Sequence, residues 1–356
     1  MNKILIVGSW HSKLHEEPLS LAFNDLGYQS LKFSWCNYFV SNNRLVNLYY
    51  KFQNKYMIGD RINKLNTDLV KFVIENKPSI IFLYRATHIK RETLEAIKNI
   101  NKDIYIISYN NDNPFQSNYK KLYWRLFFSN IALVDKLYVY RSSNIYDFLS
   151  LGYSNVSILR SWYIPSENYI YCVSDKYKSD VIFVGHFEDD FRFDYVKSLA
   201  SFSNINFKLF GSGWNRVIKN DPVLKKFFPV SSDTFGVDYA KYLSGSKIAL
   251  CFFSKLNRDT YTRRCFEIPA SGSLLFSEYS DDLASMFREG IEAVFFRSKD
   301  DFINKIHYYL DNNDLRIQIA QQGNNRLLQD GHDVFSRAKQ VIEDLPINFQ
   351  LRRLGQ

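Results

Sequence analysis

The chemistry-bearing residues of this chain gather where short apolar runs end. The run Ile4–Val7 ends in Gly8-Ser9-Trp10-His11, and Gly8 lets backbone approach closely while His11 can act as a base. Ile104–Ser108 ends in Tyr109-Asn110-Asn111-Asp112-Asn113-Pro114, where Asp112 is either a turn residue or a carboxylate able to deprotonate a hydroxyl. Arg85 and His88 follow the run at Ile80 and are placed to bind an acceptor anion. In the second half, Val181–Val184 ends in Gly185-His186-Phe187-Glu188-Asp189-Asp190-Phe191-Arg192, and Phe207–Phe210 ends in Gly211-Ser212-Gly213-Trp214. Glycines there let backbone N–H groups approach an anion, and Arg192 can add a charge-assisted bond to phosphate. The richest stretch is Asn257–Glu278, where Arg258, Arg263 and Arg264 surround Asp259 and Tyr261 and precede Glu267. A carboxylate in the first turn of a helix can accept bonds from two ribose hydroxyls, and arginines beside it match a diphosphate.

Those loops need elements to carry them. Strand-like runs at 4–7, 30–34, 79–83, 104–108, 137–140 and 156–159 alternate with helical patterns, of which 60–76 is the clearest. Near 161–178 the pattern stops. It restarts with runs at 181–185, 207–211, 248–252, 273–276 and 293–296, between helices expected at 191–202, 235–243, 263–271, 280–287, 301–310 and 313–328. Continuous apolar strands between helices are the α/β pattern with buried parallel sheets. The expectation is two Rossmann-like domains facing across a cleft, 1–165 and 166–332, followed by a tail, 333–356. Ligands of such sheets bind beyond the carboxyl ends of the strands, so two facing sheets suit transfer between a donor and an acceptor.

The 356 residues are 46% hydrophobic and 23% charged, which supports folded cores rather than a disordered chain. The net charge of +9 suits anionic small molecules or peripheral contact with a membrane. No run of four Lys/Arg occurs, which argues against nucleic acid as partner. The four cysteines are widely spaced with no C-x-x-C pair, which points to a reducing, cytoplasmic compartment and away from a disulfide scaffold or a cysteine zinc site. The first apolar run reads as a strand rather than a secretory leader, and no stretch approaches the ~18 apolar residues of a spanning helix.

The stretch Arg264-Cys265-Phe266-Glu267-Ile268-Pro269-Ala270-Ser271-Gly272 resembles the donor-binding core of GT-B glycosyltransferases, nearest to the spore-maturation (CgeB-like) group. The likeness continues through Leu275, Glu278, Asp282-Leu283, Phe287, Val294-Phe295-Phe296, Tyr308-Tyr309-Leu310 and Ile319-Ala320-x-x-Gly323, and covers roughly 180–340. In the first half it rests on Asn111-Asp112-x-Pro114 and the order of strands. The resemblance implies a cytoplasmic glycosyltransferase moving a sugar from a nucleoside-diphosphate sugar to a glycan, lipid-linked or protein acceptor. It implies no bound cofactor and no metal, and a C-terminal helix crossing back to the first domain, here with Val334, Phe335, Ala338 and Val341 as its apolar face. Glu267 would bind the ribose, with Gly272 and Ser273 near the diphosphate and Arg192 and Arg264 on the leaving group. Retaining members carry two glutamates seven residues apart, and here Asp259 stands at the first position. An inverting transfer needs an acceptor-side base, for which Asp112 and His11 are candidates, whereas a retaining one needs none. The competing readings are a sugar-nucleotide epimerase, or a carbohydrate- or partner-binding module on the same scaffold.

Overall fold

The computed structural model describes residues 2–85, 87–116, 121–227, 234–347 and 349–350. The chain divides into two compact units, one formed by 1–161 with 334–356 and the other by 162–333.

Unit one contains β1 (Lys3–Gly8), α1 (Glu16–Asp25), β2 (Gln29–Ser34), α2 (Arg44–Tyr56), α3 (Asp60–Asn76), β3 (Ile80–Tyr84), α4 (Arg91–Ile100), β4 (Tyr105–Asn110), α5 (Lys121–Asn130), β5 (Lys136–Val139), α6 (Ser142–Leu149) and β6 (Val156–Ile158). The six strands form one parallel sheet in the order β2-β1-β3-β4-β5-β6. All five residues of β3 are buried, because helices cover both sheet faces and leave no polar side for the strand to alternate with. α3 spans the expected residues and buries Ile62, Leu65, Leu69 and Val73. Lys77 ends it in the left-handed region, and Pro78 follows.

Unit two contains β7 (Ser179–Val184), α7 (Arg192–Ala200), β8 (Phe207–Phe210), α8 (Asn215–Ile218), α9 (Gly236–Ser244), β9 (Ser246–Cys251), α10 (Arg264–Ala270), β10 (Leu274–Glu278), α11 (Asp281–Met286), β11 (Val294–Phe296), α12 (Lys299–Asp311) and α13 (Asn313–Gln329). Its five parallel strands run in the order β11-β10-β9-β7-β8. The aromatic rings of Phe183, Trp214, Phe252, Phe276, Phe296 and Phe302 fill one side of this sheet.

The chain then returns to unit one as α14 (Val334–Glu343), which packs on α1. It is pinned there by Gln340 Nε2 donating to the carbonyl of Ile158 at 2.9 Å. Just beyond it, Tyr138 Oη donates to Asp344 at 2.7 Å. Its buried apolar face is Val334, Ala338, Val341 and Ile342. Phe335, expected on that face, is 40% exposed, one position round the helix from Val334.

Candidate functional site

In both sheets the strand order reverses at one place, where neighbouring connections leave in opposite directions and open a crevice at the carboxyl ends. In unit two that place lies between β7 and β9, and in unit one between β1 and β3.

After β7 the chain turns through Gly185 and is held by Arg192. Only 1% of this arginine is exposed. Its Nε and Nη2 grip both oxygens of Asp190 at 2.8 and 2.9 Å, and Nη2 also lies 3.2 Å from Glu188. Nη1 donates to the carbonyl of His186 at 3.1 Å and Nη2 to that of Phe253 at 3.3 Å. The sequence reading gave Arg192 to a phosphate. The structure instead commits it to lashing the loop after β7 to the loop after β9. Glu188 completes the lashing, accepting from His186 at 2.8 Å and from Ser254 at 3.0 Å. Burial would raise its pKa, but the His186 bond, the Arg192 charge and the Ser254 bond bring it below the usual carboxylate range.

A second cation, Arg264, is the first residue of α10. Its Nη1 lies 3.4 Å from where a Cβ on Gly185 would sit, and its buried Nε has no hydrogen-bond partner among the described residues. Burial works against its charge, and Cys251, Tyr239, Glu267 and Cys265 outweigh it, so its pKa is raised. One helical turn on, Glu267 is 5% exposed and accepts from Tyr239 Oη at 2.8 Å. Burial raises the Glu267 pKa against the pull of Arg263, the Tyr239 bond and Arg264. A guanidinium with an unfilled donor, beside a carboxylate fixed by one bond, is a ready receiver for an anion carrying hydroxyl groups.

Cys251 and Cys265 stand behind this pair as free thiols, both fully buried, with sulfurs 3.6 Å apart. Their distance in sequence hid the pairing. The Cys251 thiol lies below its ordinary pKa: burial raises it, and the bond from Cys265, the Arg264 charge and bonds from Thr262 and Ser277 outweigh that. Tyr239 also carries no motif, and only the packing of α9 beside α10 shows its role.

The other expected donor residues sort by sheet edge. Gly211 has φ +133° and packs its Cα against the Gly185 carbonyl, so these glycines allow a close backbone approach at the crevice. Trp214 is fully buried and donates its indole N–H to the same carbonyl at 2.8 Å, a core position that braces the turn. Tyr261 is fully buried against Phe266, with ring centroids 5.6 Å apart. Asp259 is partly exposed in the loop after β9, its N–H donating to the Ser254 carbonyl at 2.9 Å. Gly272 and Ser273 are a correction. α10 runs antiparallel to the strands, so its first residue is at the carboxyl edge and the turn after it at the amino edge. Ser273 Oγ bonds the carbonyls of Leu243 and Ser246 there, about 13 Å of strand from Ser277. These two residues stand away from the crevice that holds Arg264.

In unit one, Glu16 is 1% exposed and occupies the crevice after β1, accepting from the Ser9 and Trp10 amides at 2.8 and 3.2 Å. Sequence reasoning missed it. Gly8 makes room, since a Cβ there would stand 2.5 Å from the carboxylate. His11 is exposed, with Nδ1 2.6 Å from Ser9 Oγ. Asp112 and Arg85 form an ion pair at 2.5 Å, bringing the ends of β3 and β4 together.

His88 departs from its expected role as an anion ligand. It is 3% exposed, stacked on Trp35 at 4.0 Å, with Nε2 2.7 Å from Asn54 Oδ1 and Nδ1 3.0 Å from Thr87 Oγ1. Burial lowers its pKa to about 4, so it is neutral in the fold. The unfolded chain protonates it near 6.5. Stability from this group is therefore complete above pH 6.5 and is lost as pH falls toward 4, by at most about 3 kcal/mol. Urea titrations between pH 7 and 4 should show this decline, and His88→Gln should flatten it relative to wild type.

Comparison with known proteins follows from this geometry. Residues 192–343 match the model of a family described as glycosyl transferase-like. No curated protein matches the chain. Among solved structures, sucrose-phosphate synthase from Thermosynechococcus elongatus superposes with a TM-score of 0.70 at 11% identity, covering 100% of both chains. HepE from Anabaena in complex with UDP-glucose superposes at 0.66 and 11% identity, over 96% of this chain and 99% of that one. A glycosyltransferase from Rickettsia africae superposes at 0.66 and 12% identity, over 96% and 97%. At such identities the likeness speaks for the fold.

Proposed function

We propose, for a chain that has the GT-B fold and whose residues 192–343 match the glycosyl transferase-like family model, that it transfers a hexose from a UDP-sugar to an acceptor hydroxyl. The product belongs to a bacterial surface polysaccharide or glycoconjugate, and the work is done in the cytoplasm. The observation that carries this reading is Arg264 at the reversal point of the second sheet, with an open donor and Glu267 one turn away. The UDP-glucose held by HepE supports the choice of nucleotide.

In this mechanism Glu267 accepts from the ribose hydroxyls. Arg264 meets the diphosphate and neutralises the charge that grows on it as the bond to the sugar breaks. Gly185 and Gly211 let the backbone come close to the ligand, and Asp259, in the loop after β9, is a candidate catalytic carboxylate. The acceptor belongs to unit one. Asp112, oriented by Arg85, or His11 takes the hydroxyl proton in an inverting transfer. Neither step calls for a metal.

A thermal-shift screen against UDP, GDP, ADP, TDP, CDP and CMP tests the reading. UDP at a hundred times its dissociation constant should add about 2.7 kcal/mol of stability. Glu267→Ala removes hydrogen bonds to a charged group and should raise the UDP dissociation constant about tenfold to a hundredfold. A chain that none of these nucleotides stabilises would speak for a binding module instead.

A further inference from the structure

α2 turns its apolar stripe outward, while its inward face sets two amides beside Tyr50, which packs against the core. Gln53 is 1% exposed, with Nε2 donating to Asp60 at 2.5 Å and Oε1 accepting from the Arg61 amide at 2.8 Å. Asn54 meets His88 on the same side. The outward face is apolar, with Leu45 79%, Leu48 67%, Tyr49 55% and Phe52 51% exposed. On a helical projection these four fall within an arc of about 100°. Arg44, Lys51 and Lys55, all exposed, fall within about 40° of one another along one flank of that arc. No Asp or Glu occurs between Asp25 and Asp60. Exposed Val40 and Ile58 stand just before and just after the helix.

The helix is firmly held, so the exposed face is a fixed surface and not a frayed end. Asn43 caps its start by accepting from the Leu45 and Val46 amides at 3.0 and 3.2 Å. Arg125 Nη2 binds the last carbonyls, those of Tyr56 and Met57, at 2.7 and 2.8 Å. Among the described residues no helix is long and apolar enough to cross a membrane.

We infer that α2 docks this protein flat on a membrane leaflet that carries anionic lipid. An apolar stripe sinks to the boundary between headgroups and acyl chains, while a row of cations beside it meets lipid phosphates. The missing acids on this segment match a negative surface and leave nothing to repel it. The inference stands on α2 alone and is independent of the proposed reaction.

Vesicle flotation with the full chain tests it. The probes are phosphatidylcholine vesicles, and vesicles in which about a third of the lipid is phosphatidylglycerol. The protein should float with the anionic vesicles, stay behind with the neutral ones, and be released by molar salt. Lys51→Glu/Lys55→Glu should lower binding at least tenfold, and Leu48→Ser/Phe52→Ser should lower it similarly at low salt. All four side chains are exposed, and circular dichroism checks that the fold is kept. Equal binding to both vesicle types, or variants that bind as wild type does, would overturn the inference. So would a wild-type dimer in solution that Leu48→Ser/Phe52→Ser splits while neither protein floats, which would give the face to a second copy of the chain.

Discussion

A chain carrying Arg264→Ala should turn over its nucleotide-sugar donor about 100- to 1,000-fold more slowly than wild type. A preorganised donor aimed at developing charge acts mainly in the transition state, so the loss should fall more on kcat than on KM. Arg264 suits that role because its surroundings ask little of it structurally: Arg192 lashes the loops, and the Arg264 Nε is unfilled. Arg264→Lys keeps the charge but loses the planar fork, and should recover only part of the rate. A second readout needs no substrate. Arg264 helps to hold the Cys251 thiol below its ordinary pKa, so in Arg264→Ala its thiolate absorbance should appear at higher pH. Turnover within threefold of wild type would remove Arg264 from the reaction.

The largest effect on stability is expected at Gly211. A Cβ there would sit 2.0 Å from the Gly185 carbonyl oxygen and 2.5 Å from its carbon, at a φ of +133° that other residues rarely adopt. The clash is with backbone, which cannot rotate away as a side chain would. The ends of β7 and β8 must part, and the 2.8 Å bond from Trp214 to that carbonyl goes with them. Gly211→Ala should lower the free energy of unfolding by more than about 3 kcal/mol in urea. Gly152→Ala is the control. Its φ is +85° but no atom lies within 4 Å of the added carbon, so only the conformational cost of about 1–2 kcal/mol should appear. Equal losses for the two would show that the contact is relieved cheaply.

Much of the fold was legible because parallel strands buried on both faces leave unbroken apolar runs. The runs at 79–83, 181–185 and 248–252 fall on the strands Ile80–Tyr84, Ser179–Val184 and Ser246–Cys251, offset by one or two residues, and α3 and α10 lie where their patterns place them. α2 was illegible for a physical reason. A helix announces itself by an apolar stripe facing the core, and here the stripe faces out while Gln53 and Asn54 share the inward face with Tyr50. The cluster of Arg264 and Glu267 was readable because both lie within one turn of one helix. The role of Arg192 had a sign in the sequence as well, since its partners Glu188 and Asp190 are four and two residues upstream. His88 had none: its neighbours Trp35 and Asn54 come from distant segments that only tertiary packing brings together. The position of Ser273 followed from direction alone. A helix returning between parallel strands must carry its last residues to the opposite sheet edge from its first.

The return of α14 to unit one has a consequence for synthesis. Unit two, 162–333, is one unbroken segment, whereas unit one is completed only by residues that follow it. A ribosome moving at about 5–20 residues per second therefore leaves the first body unfinished for roughly ten to thirty seconds. During that interval the face of α1 that α14 covers stays open to the solvent. The body that begins first is the last to close, and a nascent chain stalled before Val334 would present two whole sheets, the first of them without the helix that covers α1.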